Sequence, residues 1–193
     1  PPPPARPPPP APRPRPASPR PPEPPEGPGL FATRSGVRDR RTPLPGDAPT
    51  PVTGLAATSR HMLDGRAPLL ADVARALLEP NGLPAVIGCA AGKDRTGVTI
   101  ALLLSAVGVP ADVIVADYVL TGVAFSEPDP DDAHFVDWRA SPVELECPPA
   151  YMEAMLQHLA ARHGGAGKLL RRNGLAPADL DLLVELLTEP APD

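Results

Sequence analysis

Proline decides which part of this chain can fold. Most of its 33 prolines lie before residue 52, and each removes a backbone donor and fixes φ, so neither helix nor ladder can propagate there. Pro1 to about Pro28 is nearly pure Pro, Arg, Ala and Ser. That composition favours solvated polyproline II and carries too little apolar side chain to offset ordering entropy. Residues 1–55 are therefore expected to be a disordered segment, and residues 56–190 a folded domain. The irregular character is expected to persist to Arg60, with at most a short strand near Val52. The formal net charge is −5, and Arg6, Arg13, Arg15 and Arg20 sit in the proline-rich head, which leaves the folding part more acidic than the total. That balance argues against a general nucleic-acid-binding surface.

Two cysteines, Cys89 and Cys147, stand far apart in unlike contexts and give neither a disulfide framework nor a metal-ligand spacing. A reducing, cytoplasmic setting is the simpler expectation. No uninterrupted apolar run of about 18 residues is present, so no membrane anchor is expected. The chain opens on Pro1 rather than Met, so secretion directed by an upstream segment stays open.

Helical spacing begins with Leu63 and continues through Leu69, Leu70, Val73, Ala74, Leu77 and Leu78, which predicts a helix over about Pro68 to Glu79 closed by Pro80-Asn81-Gly82. Pro84-Ala85-Val86-Ile87-Gly88 is short, uncharged and partly β-branched, as expected of a strand buried on both faces of a parallel sheet. Thr96 to Val107 is apolar at nearly every position and predicts a buried helix ended by Gly108. A further helix is expected from Pro110 to near Thr121-Gly122. Others follow through Tyr151, Met155, Leu156 and Leu159, around Lys168 to Arg172 before Asn173-Gly174, and from Pro177 to Leu187.

The chemistry concentrates where the expected strand meets the expected helix, in Cys89-Ala90-Ala91-Gly92-Lys93-Asp94-Arg95-Thr96-Gly97. Arg95 stands six positions after Cys89, and a turn that ends at a helix start can aim backbone N–H groups, the helix dipole and a guanidinium at one anion, most naturally a phosphate. The same positive environment pushes Cys89 toward thiolate, the form that attacks phosphorus. Ala90, Ala91 and Gly92 keep side chains clear of the anion. Thr96 can offer its hydroxyl to the sulfur, and Gly97 permits close packing. Cys147 lacks such a context and is expected to be a small buried hydrophobe.

This stretch looks like the signature loop of the cysteine-dependent protein tyrosine phosphatases, and Gly92 to Gly97 resembles the bacterial tyrosine/serine phosphatase subfamily. Gly108-Val109-Pro110, Ile114 to Tyr118, Gly164-Gly165 and Asn173-Gly174-Leu175 extend the similarity over roughly residues 60 to 188. The resemblance implies an α/β fold with a parallel sheet flanked by helices and an all-helical C-terminal half. It implies hydrolysis of phosphomonoesters, chiefly phosphotyrosine in a protein, through a phosphocysteine on Cys89, with Arg95 holding the phosphate and no metal or other cofactor. Lys93 is implied to add charge toward phosphate or a phosphoinositide headgroup; a solvated place at the loop rim is the other reading. Asp94 is a candidate proton donor, the alternative being a carboxyl on a separate loop. Asp117 and Tyr118 match the family pattern but are expected to brace the loop rather than react. The family usually has histidine where this chain has Gly88, which predicts a less depressed Cys89 pKa. A phosphate-binding module without turnover, and a proline-rich adaptor, are the competing readings.

Overall fold

Small and apolar residues at helical spacing wind the chain into helices within residues 55–89, 92–126 and 146–188, the residues described by this computed structural model. In chain order these are α1 (Leu55–Gly65), α2 (Ala67–Leu78), α3 (Asp94–Ala106), α4 (Ala111–Ser126), α5 (Pro149–His158) with a π-helical extension (Leu159–His163), α6 (Ala166–Arg172) and α7 (Pro177–Leu187). The proline-rich head, the suggested strand near Val52, and Trp138 lie outside the described residues. No helix among the described residues is long and apolar enough to cross a membrane.

The structure corrects the reading of Pro84–Gly88 as a buried strand. Among the described residues there is no strand at all; Pro84, Ala85 and Gly88 are exposed, and Val86 is 86% exposed. Only Ile87 packs against the core. A β-branched apolar run becomes a strand only when a neighbouring backbone takes up its N–H and C=O groups, and no described segment does so here. The expected α/β sheet is therefore absent from the described part, which is helical on both sides of the loop. The described residues of the C-terminal half are mainly helical, as expected.

A second correction concerns the end of the stretch read as irregular up to Arg60. Its residues 55–60 begin α1, whose buried face is Thr58, Ser59, Met62 and Leu63. Half of that face is polar, which hides the helical period from a hydropathy reading. Ser59 is accommodated because its hydroxyl donates to the Ala56 carbonyl at 3.1 Å.

Helix α3 is the central element, packed against α1, α4 and α6, with Val98, Thr99, Ala101, Leu102 and Leu103 buried. It ends as a Schellman turn: Gly108, at φ 88°, donates to the Ser105 carbonyl, and Val109 donates to Leu104 at 3.0 Å. Helix α4 runs four residues past its expected end because Gly122 is not a stop. A Cβ there would meet the Cys147 Cβ at 3.2 Å, so this glycine admits the returning chain at close range. On α5 the buried residues are Met152, Met155 and Leu159, while Tyr151 faces outward. Arg75 of α2 pairs with Asp72 and donates to the Asn173 carbonyl at 3.4 Å, fastening α2 to the turn before α7.

Asn81-Gly82, with Asn81 at φ 62°, turns the chain sharply beneath α2. A Cβ on Gly82 would stand 2.5 Å from the Ala76 and Leu77 carbonyl oxygens, whereas one on Gly65 meets nothing within 4 Å. Gly82→Ala should therefore cost about 2 kcal/mol of unfolding free energy through overpacking. Gly65→Ala should stay within about 0.5 kcal/mol. Urea denaturation of the two variants side by side checks the contrast.

Candidate active site

The site is built where α3 starts. A helix leaves its first N–H groups without intrahelical partners, and the first intrahelical bond of α3 is Gly97 N–H to the Lys93 carbonyl at 2.8 Å. Of the N–H groups ahead of it, that of Thr96 reaches Cys89. Gly92 brings the chain into the helix at φ 66°, a left-handed conformation that costs a side-chain-bearing residue dearly. Nothing lies within 4 Å of where its Cβ would be, so the demand for glycine is conformational rather than steric. Ala90 and Ala91, the remaining expected cradle residues, lie outside the described residues.

Cys89 is half-buried, and its thiol is more acidic than an ordinary cysteine. Burial alone would raise its pKa. The hydroxyl and N–H of Thr96, the charge of Arg95 and the N–H of Gly92 together outweigh burial and bring it down. Thr96 Oγ1 is buried and has no hydrogen-bond partner among the described residues, yet it lies close enough to the sulfur to lower the thiol pKa. The Arg95 side chain is exposed at the mouth of the loop, and its backbone is braced by the Thr99 hydroxyl, which donates to the Arg95 carbonyl at 2.8 Å. Cys89, Gly92, Arg95 and Thr96 thus gather at one point, and their donors converge where an anion can sit.

Lys93 and Asp94 are arranged differently. Lys93 is 4% exposed, so it is not a solvated charge at the rim, and its Nζ lies 3.9 Å from Asp94 Oδ1. Arg95, rather than Lys93, is the cation that acidifies Cys89. The Lys93 ammonium and the Asp94 carboxylate instead bear on a second thiol, Cys147, and Asp94 also bears on the Tyr118 phenol. Burial first, then the neighbouring Cys147, drives the Tyr118 pKa far upward and keeps the phenol neutral. Burial likewise raises the Cys147 thiol, against the opposing pull of the Tyr118 hydroxyl and Lys93. Cys147 is buried in the core, as its lack of a motif predicts, but it also joins a polar cluster directly behind the loop. No local sequence signal pairs Tyr118 with Cys147, because the two meet only through the α4 fold-back.

Tyr118 also braces the loop. An added Cβ on Gly97 would stand 3.1 Å from the Tyr118 ring, so the absence of a side chain at 97 lets α4 lie against the first turn of α3. Asp117 is exposed and lines, with Gly92, Thr96, Gly97, Tyr118 and Thr121, a cavity of about 70 Å³ beside the loop. That volume has room for a few water molecules and not for a phosphate ester.

The chain is similar to known proteins. The chain is 33% identical over 116 residues to the triple specificity protein phosphatase PtpB of Mycobacterium tuberculosis, a similarity that covers 52% of this chain and 42% of that protein. The chain thus matches less than half the length of this curated relative. A model described as the tyrosine phosphatase family matches residues 32–189, a span that includes the Cys89 loop and every described helix, and the chain belongs to that family.

Proposed function

We propose that the chain hydrolyses phosphomonoesters through a phosphocysteine, with phosphotyrosine in a protein as the principal substrate. The observation that carries this reading is the acidified Cys89 thiol, held by Thr96, Arg95 and Gly92 at the start of α3. In the first step the Cys89 thiolate attacks phosphorus, an S–P bond forms and the ester P–O bond breaks, and the leaving oxygen takes a proton. A carboxyl supplies that proton, either Asp94 of the loop, which lies with Lys93 on the side of Cys147 and Tyr118, or one on a separate loop. Arg95, with its planar fork of donors, holds equatorial oxygens as negative charge gathers on the phosphoryl group. In the second step water attacks the phosphocysteine, and the S–P bond breaks as the Thr96 hydroxyl donates to the departing sulfur. Inorganic phosphate leaves, and no metal takes part.

A second reading rests on Gly88. This residue is exposed and has no atom within 4 Å of its added Cβ, so no imidazole supports the loop from that position. A phosphate binder with little turnover follows from that reading. The relative bears the name triple specificity protein phosphatase, which supports testing other classes of phosphomonoester beside phosphotyrosine.

Aryl phosphate hydrolysis without added metal separates the readings. Turnover is expected in the native chain and should be abolished in Cys89→Ser; vanadate binding without turnover would favour the phosphate binder. Arg95→Ala should lower kcat by about 10²–10³, or about 3–4 kcal/mol, as does removal of a preorganised oxyanion donor. An unchanged kcat would mean that the phosphate is held elsewhere. The thiolate is the reactive form, so alkylation of Cys89 by iodoacetamide should accelerate as pH rises through its pKa. Thr96→Val removes a donor to the charged form, raises that pKa and should move the midpoint to higher pH; a shift to lower pH, or none, counts against the Thr96 contact.

A further inference from the structure

The sequence reading gave no role to Asp64, His158 or His163, yet the fold brings the two histidines to Asp64 from 94 and 99 positions away. His158 Nε2 lies 2.9 Å and His163 Nε2 lies 2.8 Å from the same oxygen, Asp64 Oδ1. One ligand atom from each residue falls within 4.8 Å of the others. The two imidazoles meet edge to face, with ring centroids 5.8 Å apart. The side chains are 42%, 25% and 17% exposed for Asp64, His158 and His163, so the cluster is neither sealed nor free in solvent.

The backbone has an irregularity at this place. Residues five apart on an α-helix diverge by about 140° around its axis, which would turn His163 away from His158. The chain instead leaves α-helical geometry immediately after His158 and forms a π turn over Leu159–His163. The wider turn brings positions i and i+5 onto one face, and such turns are concentrated at functional sites. Gly164, at φ 73°, ends the element directly after His163. The two imidazoles are thereby aimed at the C-terminal end of α1, where Asp64 is the penultimate residue.

We propose that Asp64, His158 and His163 form a binding site for a borderline divalent cation, Zn²⁺ by preference. Two imidazole nitrogens and one carboxylate oxygen are the donors that zinc takes, at about 2.0–2.2 Å, with a further position left to water. Calcium and magnesium prefer oxygen-only sets and are disfavoured. In the present arrangement the imidazole N–H groups share the Asp64 oxygen. An ion replaces those protons while the exposed carboxylate rotates back to coordinate, and the imidazole protons move to Nδ1. The bound ion would clamp α1 to the end of α5. This site is separate from the Cys89 chemistry, which needs no metal.

The test is calorimetric titration of the folded, reduced chain in a Cys89→Ser background with ZnCl₂, paired with Co²⁺ absorption. One equivalent of zinc should bind, and Co²⁺ should show d–d bands without thiolate charge transfer. His163→Gln, His158→Gln and Asp64→Asn should each weaken binding by at least about 10–100-fold, the loss seen when merely an outer-shell partner of a ligand is removed. His61→Gln should bind as the parent does. Zinc should raise the Tm of the parent and not of the variants, and helical circular dichroism confirms that each variant is folded. Absence of one-to-one binding, binding that survives all three ligand substitutions, or a thiolate spectrum would each overturn the proposal and leave the three residues as a hydrogen-bonded staple.

Discussion

The N–H groups of the first turn of α3 are the constraint on which the site depends. A helix cannot satisfy them internally, and this chain leads into them through a left-handed glycine, Gly92, with Cys89 just upstream. The sulfur is held by the Thr96 and Gly92 amides, the Thr96 hydroxyl and the Arg95 charge. Burial opposes ionisation of the thiol, so its acidity is a balance that these few donors win. The loop conformation, the charge state of the sulfur and the point where an anion can rest therefore share one cause.

Holding that helix start in place requires support from behind. Tyr118 lies against the bare Cα of Gly97, and the returning chain at Cys147 closes on Gly122. Two glycines on adjacent helices thus allow two close approaches, and the space between them is filled by Lys93, Asp94, Tyr118 and Cys147. Burial of a lysine beside a carboxylate is tolerable because each reduces the desolvation cost of the other. The charge beside the reactive loop is divided accordingly: Arg95 faces out over Cys89, while Lys93 is turned inward.

Much of this was legible from residue order. α2, α3 and the helices after Pro148 lie within two residues of their expected bounds, because their apolar periods are strong and Gly108, Gly164 and Gly174 adopt positive φ at their ends. The Cys-to-Arg spacing was legible for the same local reason. α1 was hidden by its half-polar buried face. Gly122 was mistaken for a terminator because the sequence cannot tell a glycine that ends a helix from one that admits a neighbour. Residues 84–88 have strand composition, but strand formation depends on a partner, and composition does not reveal one.

The sequence by itself determined α2, α3, the helices after Pro148 and the loop that joins a cysteine to an arginine, since these depend on contacts within a few residues. Tertiary structure decided that the segment before Cys89 is not a strand among the described residues, that Lys93 is buried, and that Tyr118 meets Cys147. It also decided that Asp64 receives two imidazoles from 94 and 99 positions away. Those outcomes depend on which helix faces lie together, and on a π turn that realigns two histidines. No periodicity within a single segment specifies either.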